Sequence, residues 1–314
     1  AAKYYQYFIN QGFKDHRVFS NYGDILKNLG KLKDAEKRYR RAIELKPDLV
    51  EIHLNLGMVL LDLGKLKDAE LSTRKAIQIK PDYAMAHSNL GAILRDLGKL
   101  AEAEISARKA IKINPNLAKA NEILGLILLE KDEYDLSIKY FLKSFELLRG
   151  DKIQKSNNRR FNLISKAKID HDIEQLEYLI SQDCEKKKFK DLAFLYKKVA
   201  KEINWPSETQ VFSLSKEYQN LFKGSYNSKI NFIDVAKSKE QVVNDSLNVE
   251  KITNSYFDHE FGLTYIDNFL SPKALKTLRE FLLGSTIWFD VKPNGYLGAY
   301  LEEGFANPLI IQIA

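Results

Sequence analysis

The strongest constraint on this chain is a 34-residue period. Gly23, Gly57, Gly91 and Gly125 fall 34 apart, as do Gly30, Gly64 and Gly98. The same spacing links Ala35, Ala69 and Ala103, then Ala42, Ala76 and Ala110, then Pro47, Pro81 and Pro115. "LGKLKDAE" at Leu29–Glu36 returns at Leu63–Glu70 and, as "LGKLAEAE", at Leu97–Glu104. A period of this length marks stacked supersecondary units, each too small to bury its apolar face alone.

Each period reads as two helices. Leu56, Leu60 and Leu63 recur at helical spacing, and Leu90, Leu94 and Leu97 repeat them one period later. Gly64 stands where a left-handed residue ends a helix at little steric cost. The second helix begins near Leu66, with Asp68 and Glu70 favourable to the helix dipole, and stops before Lys80-Pro81. Glycine inside a helix costs about 1 kcal/mol relative to alanine, so Gly57 and its equivalents imply close helix approach.

These position classes resemble the tetratricopeptide repeat. The expected fold is mainly α. A solenoid covers 1–151, as a partial repeat 1–15, repeats 16–49, 50–83 and 84–117, and a degenerate repeat 118–151. In the last, Asp132 replaces the turn glycine, Ser144 the alanine and Arg149 the proline. Because Ala1 lies 34 before Ala35, the chain is expected to begin inside a repeat.

Asn21, Asn55 and Asn89 are also 34 apart, with Ile123 at the fourth position. Equal helix phase predicts a ladder of amides, each both donor and acceptor, able to pair with an extended peptide backbone. The repeats are similar to those of the O-linked N-acetylglucosamine transferases, whose superhelix uses such a ladder. The expected partner is therefore a protein or extended peptide segment, with membrane excluded and nucleic acid disfavoured. His53 and His87 share the spacing, but no further ligand joins them at that phase, so both are read as structural.

A helical capping region is expected over 152–222. Phe189, Leu192, Tyr196, Val199 and Ile203 form one amphipathic helix, and Ile173, Leu176, Leu179 and Ile180 another, capped by Asp170 and joined to it by "EKKKFK". Another helix is expected over Thr209–Phe222. Residues 223–250, rich in Ser, Asn and Lys, read as a linker. The net charge is +7, and 152–204 holds 13 Lys/Arg against 8 Asp/Glu, a surplus of +5 read as a solvated helical face. The lone Cys184 excludes an internal disulfide and suits a reducing compartment, and no apolar run reaches 18 residues. The expected location is cytoplasmic.

After Lys251 the pattern changes. Leu263–Ile266 reads as a strand, Asp267-Asn268 as a turn, and Ser271-Pro272 as a cap and first helical residue, with Leu275, Leu278 and Leu282 facing inward. Ile287–Phe289 and Tyr296–Leu301 read as a hairpin around Asn294-Gly295, and Asn307-Pro308 as a second capped start. "LTYIDNFLSPKALKTLREFL" and "STIWFDVKPNGYLGAYLEEGF" resemble the opening of 2-oxoglutarate/Fe(II) oxygenase domains of the prolyl 4-hydroxylase-like type. The resemblance spans about 255–314 and implies that 251–314 begins a double-stranded β-helix, incomplete in this chain. It also implies Fe(II) and 2-oxoglutarate as cofactors, with iron held by a His-x-Asp/Glu pair and a later His. His16, His53, His87, His171 and His259 are followed two residues on by Val18, Asn55, Asn89, Ile173 and Phe261. No iron ligand is therefore assigned, and the expectation is binding without turnover by a recruiting portion of a hydroxylase. The alternatives are a pure repeat adaptor or the repeat portion of a glycosyltransferase, the latter lacking a Gly-rich nucleotide-sugar loop.

Overall fold

A computed structural model describes residues 2–149, 162–182, 185–222, 225–260, 266–291 and 297–313. Cys184, the Leu263–Ile266 strand up to residue 265 and the Asn294-Gly295 tip lie outside these residues. The chain divides into two compact units, Ala1–Ser144 and Phe145–Ala314.

The first unit repeats one helix pair. The first helices are α2 (His16–Asn28), α4 (Val50–Asp62), α6 (Ala84–Asp96) and α8 (Ala118–Glu130). The second helices are α1 (Ala2–Asn10), α3 (Leu32–Leu45), α5 (Leu66–Ile79), α7 (Leu100–Ile113) and α9 (Tyr134–Arg149). Each first helix ends in the same way. Gly30, Gly64 and Gly98 have φ of 71°, 71° and 73°, and the amide after Gly30 reaches back to Leu26 O at 2.9 Å. This closes the Schellman pattern that satisfies the last carbonyls. In the fourth repeat Asp132 takes the same left-handed place at φ 61°, and Glu133 N bonds Leu128 O at 2.8 Å. The turn therefore survives loss of its glycine, because Asp tolerates this conformation better than most residues.

The mid-helix glycines do mark close approach. A Cβ on Gly23 would lie 2.8 Å from the Tyr39 ring, one on Gly57 2.4 Å from Thr73 Oγ1, and one on Gly125 2.8 Å from the Phe141 ring. Tyr39, Thr73, Ala107 and Phe141 are themselves 34 apart, so each repeat fills one cleft with a different volume. Ala35, Ala42, Ala69, Ala76, Ala103 and Ala110 are fully buried. Ser137 and Ser144 replace this alanine in the last repeat, and their hydroxyls donate to Gly125 O (2.8 Å) and Ala118 O (3.1 Å) on α8. Those bonds cover the cost of a buried hydroxyl. The α3, α5 and α7 helices end before proline, whereas α9, with Arg149 in its place, runs two residues further.

A tier of ion pairs stitches neighbouring repeats. Glu36 accepts from Arg40 (3.0 Å) and from Lys65 of the next repeat (2.7 Å). Glu70 does the same with Arg74 (2.9 Å) and Lys99 (3.0 Å). In the third instance Glu133 stands where Lys would recur, and Lys131 reaches Glu104 instead at 2.6 Å.

In the second unit α10 (Lys166–Ser181) and α11 (Lys186–Glu202) form the expected hairpin around Ile169, Leu176, Leu179, Phe189, Tyr196 and Val199. Several expectations need correction. Ser165, not Asp170, caps α10, its hydroxyl accepting from Lys168 N at 3.2 Å. The Lys run lies inside α11 rather than in the connection. The helix expected over Thr209–Phe222 is shorter: β2 (Phe212–Ser213) pairs antiparallel with β1 (Leu163–Ile164), and only Lys216–Phe222 form α12. Ser215 accepts from Tyr218 N at 3.3 Å and restarts the chain as a helix there.

Residues 223–250, read as a linker, include a packed strap. Tyr226, Val235 and Val242 are buried, and Thr286 Oγ1 accepts from both Ile230 N and Asn231 N. Polar composition misleads here because Ser225, Ser228 and Asn231 donate to backbone carbonyls inside the unit instead of meeting water. The helix α13 (Val249–Asp258) was not anticipated and buries no side chain.

Ser271 and Asn307 cap α14 (Pro272–Gly284) and α15 (Pro308–Ile313), accepting from Ala274 N (3.3 Å) and Ile310 N (3.0 Å). Leu278 and Leu282 pack inward, but Leu275 is exposed; Ala274 and Phe281 provide the buried face. Among the described residues of the expected hairpin, β3 (Asp290–Val291) and β4 (Leu297–Gly298) pair antiparallel. Ile287–Phe289 run extended without ladder partners, their apolar side chains packed in the core. Among the described residues of 251–314 the β3–β4 pair is the one ladder formed, so a double-stranded β-helix is not seen in them.

Candidate functional site

The inner face of the first unit is made by its first helices. The pairs α2–α4, α4–α6 and α6–α8 touch, while α3, α5 and α7 make no comparable contact with one another. Crowding on one side and separation on the other curve the stack with the first helices on its concave side.

On that set of helices the three amides of the ladder have different surroundings. Asn21 is exposed and its Nδ2 stands 3.4 Å from Tyr5 Oη on α1. Asn55 is half-buried, and its Nδ2 donates to Asp24 Oδ1 on α2 at 3.1 Å. Asp24 Oδ1 also accepts from Tyr39 Oη at 2.6 Å. Burial, then the bond to Asp24, push the Tyr39 hydroxyl far above the ordinary phenol range, so it remains a donor. Asn89 is half-buried, and its amide has no hydrogen-bond partner among the described residues. One repeat earlier, the place of Asp24 is taken relative to Asn89 by Met58, which offers no comparable acceptor. Ile123, the fourth position, is 2% exposed and is part of the core.

The structure therefore places Asn21, Asn55 and Asn89 on successive first helices and fixes one of them. Asp24 and Tyr39, which hold the Asn55 amide, are residues that sequence reading missed. Asp24 occurs in one repeat only, with Met58, Ala92 and Leu126 at its equivalents, so no period announces it. Those three residues lie one turn from Asn55, Asn89 and Ile123 on the same helix side and are half-buried. The face thus sets the apolar Met58 and Ala92 beside the amides of Asn55 and Asn89, and becomes wholly apolar at Ile123 and Leu126.

The two histidines are structural. His53 Nε2 lies 2.7 Å from Pro47 O, and His87 Nε2 2.8 Å from Pro81 O, one repeat apart. Each ties its first helix to the preceding turn. Among the described residues no three His, Cys, Asp or Glu side chains converge to hold a metal. No helix among them is long and apolar enough to cross a membrane.

Family models match most of the first unit. A model described as "TPR repeat" matches residues 23–64, and models described as "Tetratricopeptide repeat" match 84–117 and both 50–83 and 118–147. No curated protein matches the chain. Among solved structures, MamA 41-end from Desulfovibrio magneticus RS-1 is 23% identical with a TM-score of 0.45, covering 48% of this chain and 86% of that one. TTC0263, a thermophilic TPR protein of Thermus thermophilus, is 17% identical with a TM-score of 0.42, covering 46% and 80%. The first TPR of Spaghetti (RPAP3), bound to the HSP90 peptide SRMEEVD, is 24% identical with a TM-score of 0.37, covering 38% and 94%. Residues 23–147 of this chain are tetratricopeptide repeats.

Proposed function

We propose that the repeats bind an extended protein segment across their first helices, and that the chain serves as the recruiting part of a 2-oxoglutarate/Fe(II)-dependent hydroxylase. The observation that carries the binding half is the Tyr39–Asp24–Asn55 chain of hydrogen bonds. It holds one amide of the ladder in a single orientation before any ligand arrives, which lowers the ordering cost of binding. Asn89 offers an uncommitted amide on the next helix. Together they can exchange donor and acceptor bonds with peptide groups whatever the side chains, while the half-buried Met58, Ala92 and Leu126 favour apolar ones. The hydroxylase half rests on the sequence resemblance of 255–314. The capped α14 and the β3–β4 pair lie in that stretch, and no chemical step is assigned to the chain.

The binding half is tested by selecting a ligand from an array of extended peptides and replacing Asn21, Asn55 and Asn89 by Ala together. The expected result is at least a tenfold loss of affinity, about 1.4 kcal/mol, with the melting temperature monitored to separate binding from folding. Unchanged affinity would remove the ladder from the mechanism. The recruiting role is tested by incubating residues 1–314 with Fe(II), 2-oxoglutarate and the selected peptide. Binding without succinate release is expected, and succinate formation would overturn it.

A further inference from the structure

The second unit contains a polar cavity in its core that the binding function does not use. It measures about 20 Å³, and its lining includes Lys168, Asp172, Tyr196, Ser225, Asn227 and Thr286, with Gln175 turned to donate to Leu283 O and Ser285 O. Asn227 is 3% exposed, and neither its amide nitrogen nor its amide oxygen makes a hydrogen bond of good geometry among the described residues; the nearby Tyr226 hydroxyl, which its amide influences, gives its proton to Leu163 O at 2.9 Å. It also holds φ at 52°, in the left-handed region. Leaving a buried amide unpaired in a strained backbone position is costly enough that such groups almost always have a partner.

The hydrogen-bond capacity facing the cavity identifies that partner. Thr286 is satisfied: its hydroxyl accepts from Ile230 N and Asn231 N and donates to Asn231 O at 2.9 Å. Ser225 gives its proton to Phe222 O at 2.7 Å. Tyr196 finds only Ser225 Oγ among the described residues, at 3.5 Å. Lys168, 2% exposed, bonds Asp172 and stands 5.3 Å over the Tyr226 ring, and an ammonium has three protons. The remaining capacity is mixed: two donors and an acceptor on Asn227, the Tyr196 hydroxyl, and a Lys168 proton. An anion would face the Asp172 carboxylate and the Asn227 oxygen, and a cation would face Lys168. A ligand that both donates and accepts suits all of them, and the volume exceeds the roughly 10–15 Å³ one water requires.

We propose that this cavity is a binding site for an ordered water molecule that joins the Asn227 amide to α10 and α11. Its effect is to fasten the 225–230 strap to the helical hairpin and to complete the coordination of the buried ammonium. Asn227 is then retained in its left-handed conformation because its amide is one of the water's partners.

Three measurements test this on the full chain. A crystal structure better than about 2 Å should show a spherical peak within about 3.2 Å of an Asn227 amide atom and of at least two further polar groups. A bromide soak should give no anomalous signal there. An anomalous peak would make the site an anion site, and absent density would leave no ligand; either overturns the proposal. Asn227→Gly keeps the left-handed backbone but removes the amide. The melting temperature should fall by about 2–4 °C. A rise, as expected from deleting an unpaired polar group and a strained side chain, or no change, would also overturn it.

Discussion

The cleft beneath each mid-helix glycine shows how one residue class can carry different tolerances. Gly57 faces Thr73, and a Cβ there would lie 2.4 Å from its hydroxyl; Gly91 faces Ala107, and a Cβ would lie 3.4 Å from the alanine Cβ, an ordinary contact, with Ala103 O at 3.3 Å. Alanine gains about 1 kcal/mol over glycine inside a helix. Gly91→Ala is therefore expected to be close to neutral by chemical denaturation, the slight crowding offsetting the helix gain. Gly57→Ala should cost about 1–3 kcal/mol through overpacking, and Thr73→Ala in the same chain should recover most of it. Equal costs at the two positions would show that the facing residue does not set the tolerance. The glycine period itself was legible in the sequence. The graded clearance was not, because it depends on the pairing of positions 16 residues apart across two helices.

Between elements, the periodic carboxylates link each helix pair to the next. Side chains of Glu36, Glu70 and Glu104 are 11%, 14% and 18% exposed. Burial raises the pKa of Glu36 and Glu70, but the bonds from Lys65 and Arg40, and from Lys99 and Arg74, outweigh it and leave both below the ordinary range. For Glu104 the bond from Lys131 is the largest influence and the net direction is also down. A carboxylate depressed in the folded state adds stability above its unfolded pKa of about 4.3 and loses it as pH falls through the folded value. Thermal melts of the chain should therefore weaken as pH drops from about 5 to about 3. Replacing all three by Gln should lower stability at pH 7 by about 1 kcal/mol per site and flatten that acid dependence. An unchanged acid limb would place its origin in other carboxylates. The Glu36, Arg40 and Lys65 classes were all visible as periods. Their linkage was not, because Lys65 reaches back 29 residues rather than 34, and the Glu133 break is repaired from a non-equivalent position by Lys131.

Across the molecule, burial predicts where the backbone opens. The first helices of the repeats bury most of one face, and the strap through Val235 and Val242 lies in a core with Phe281, Ile287 and Phe289. The α13 helix buries nothing, and Val249 and Phe257 are 69% and 76% exposed. Amide hydrogen exchange should then be slow in α4, α6 and α8, measurably protected in the strap, and fastest in α13, since local opening follows buried contact. Exchange in α13 as slow as in α6 would show that its exposed face is covered in solution.

The amino-acid sequence by itself determined the repeats: their period, helix ends, small-residue approach points and the register of Asn21, Asn55 and Asn89. Each of these depends on contacts within one repeat or between neighbours, so local pattern is sufficient. Tertiary structure alone decided which of those amides is held, through Asp24 and Tyr39, and which polar residues of the second unit are interior. Ser228, Asn227 and Thr286 have the composition of a loop, yet they are buried. Their environment is set by residues more than 50 positions away, and no period or propensity records contacts of that range.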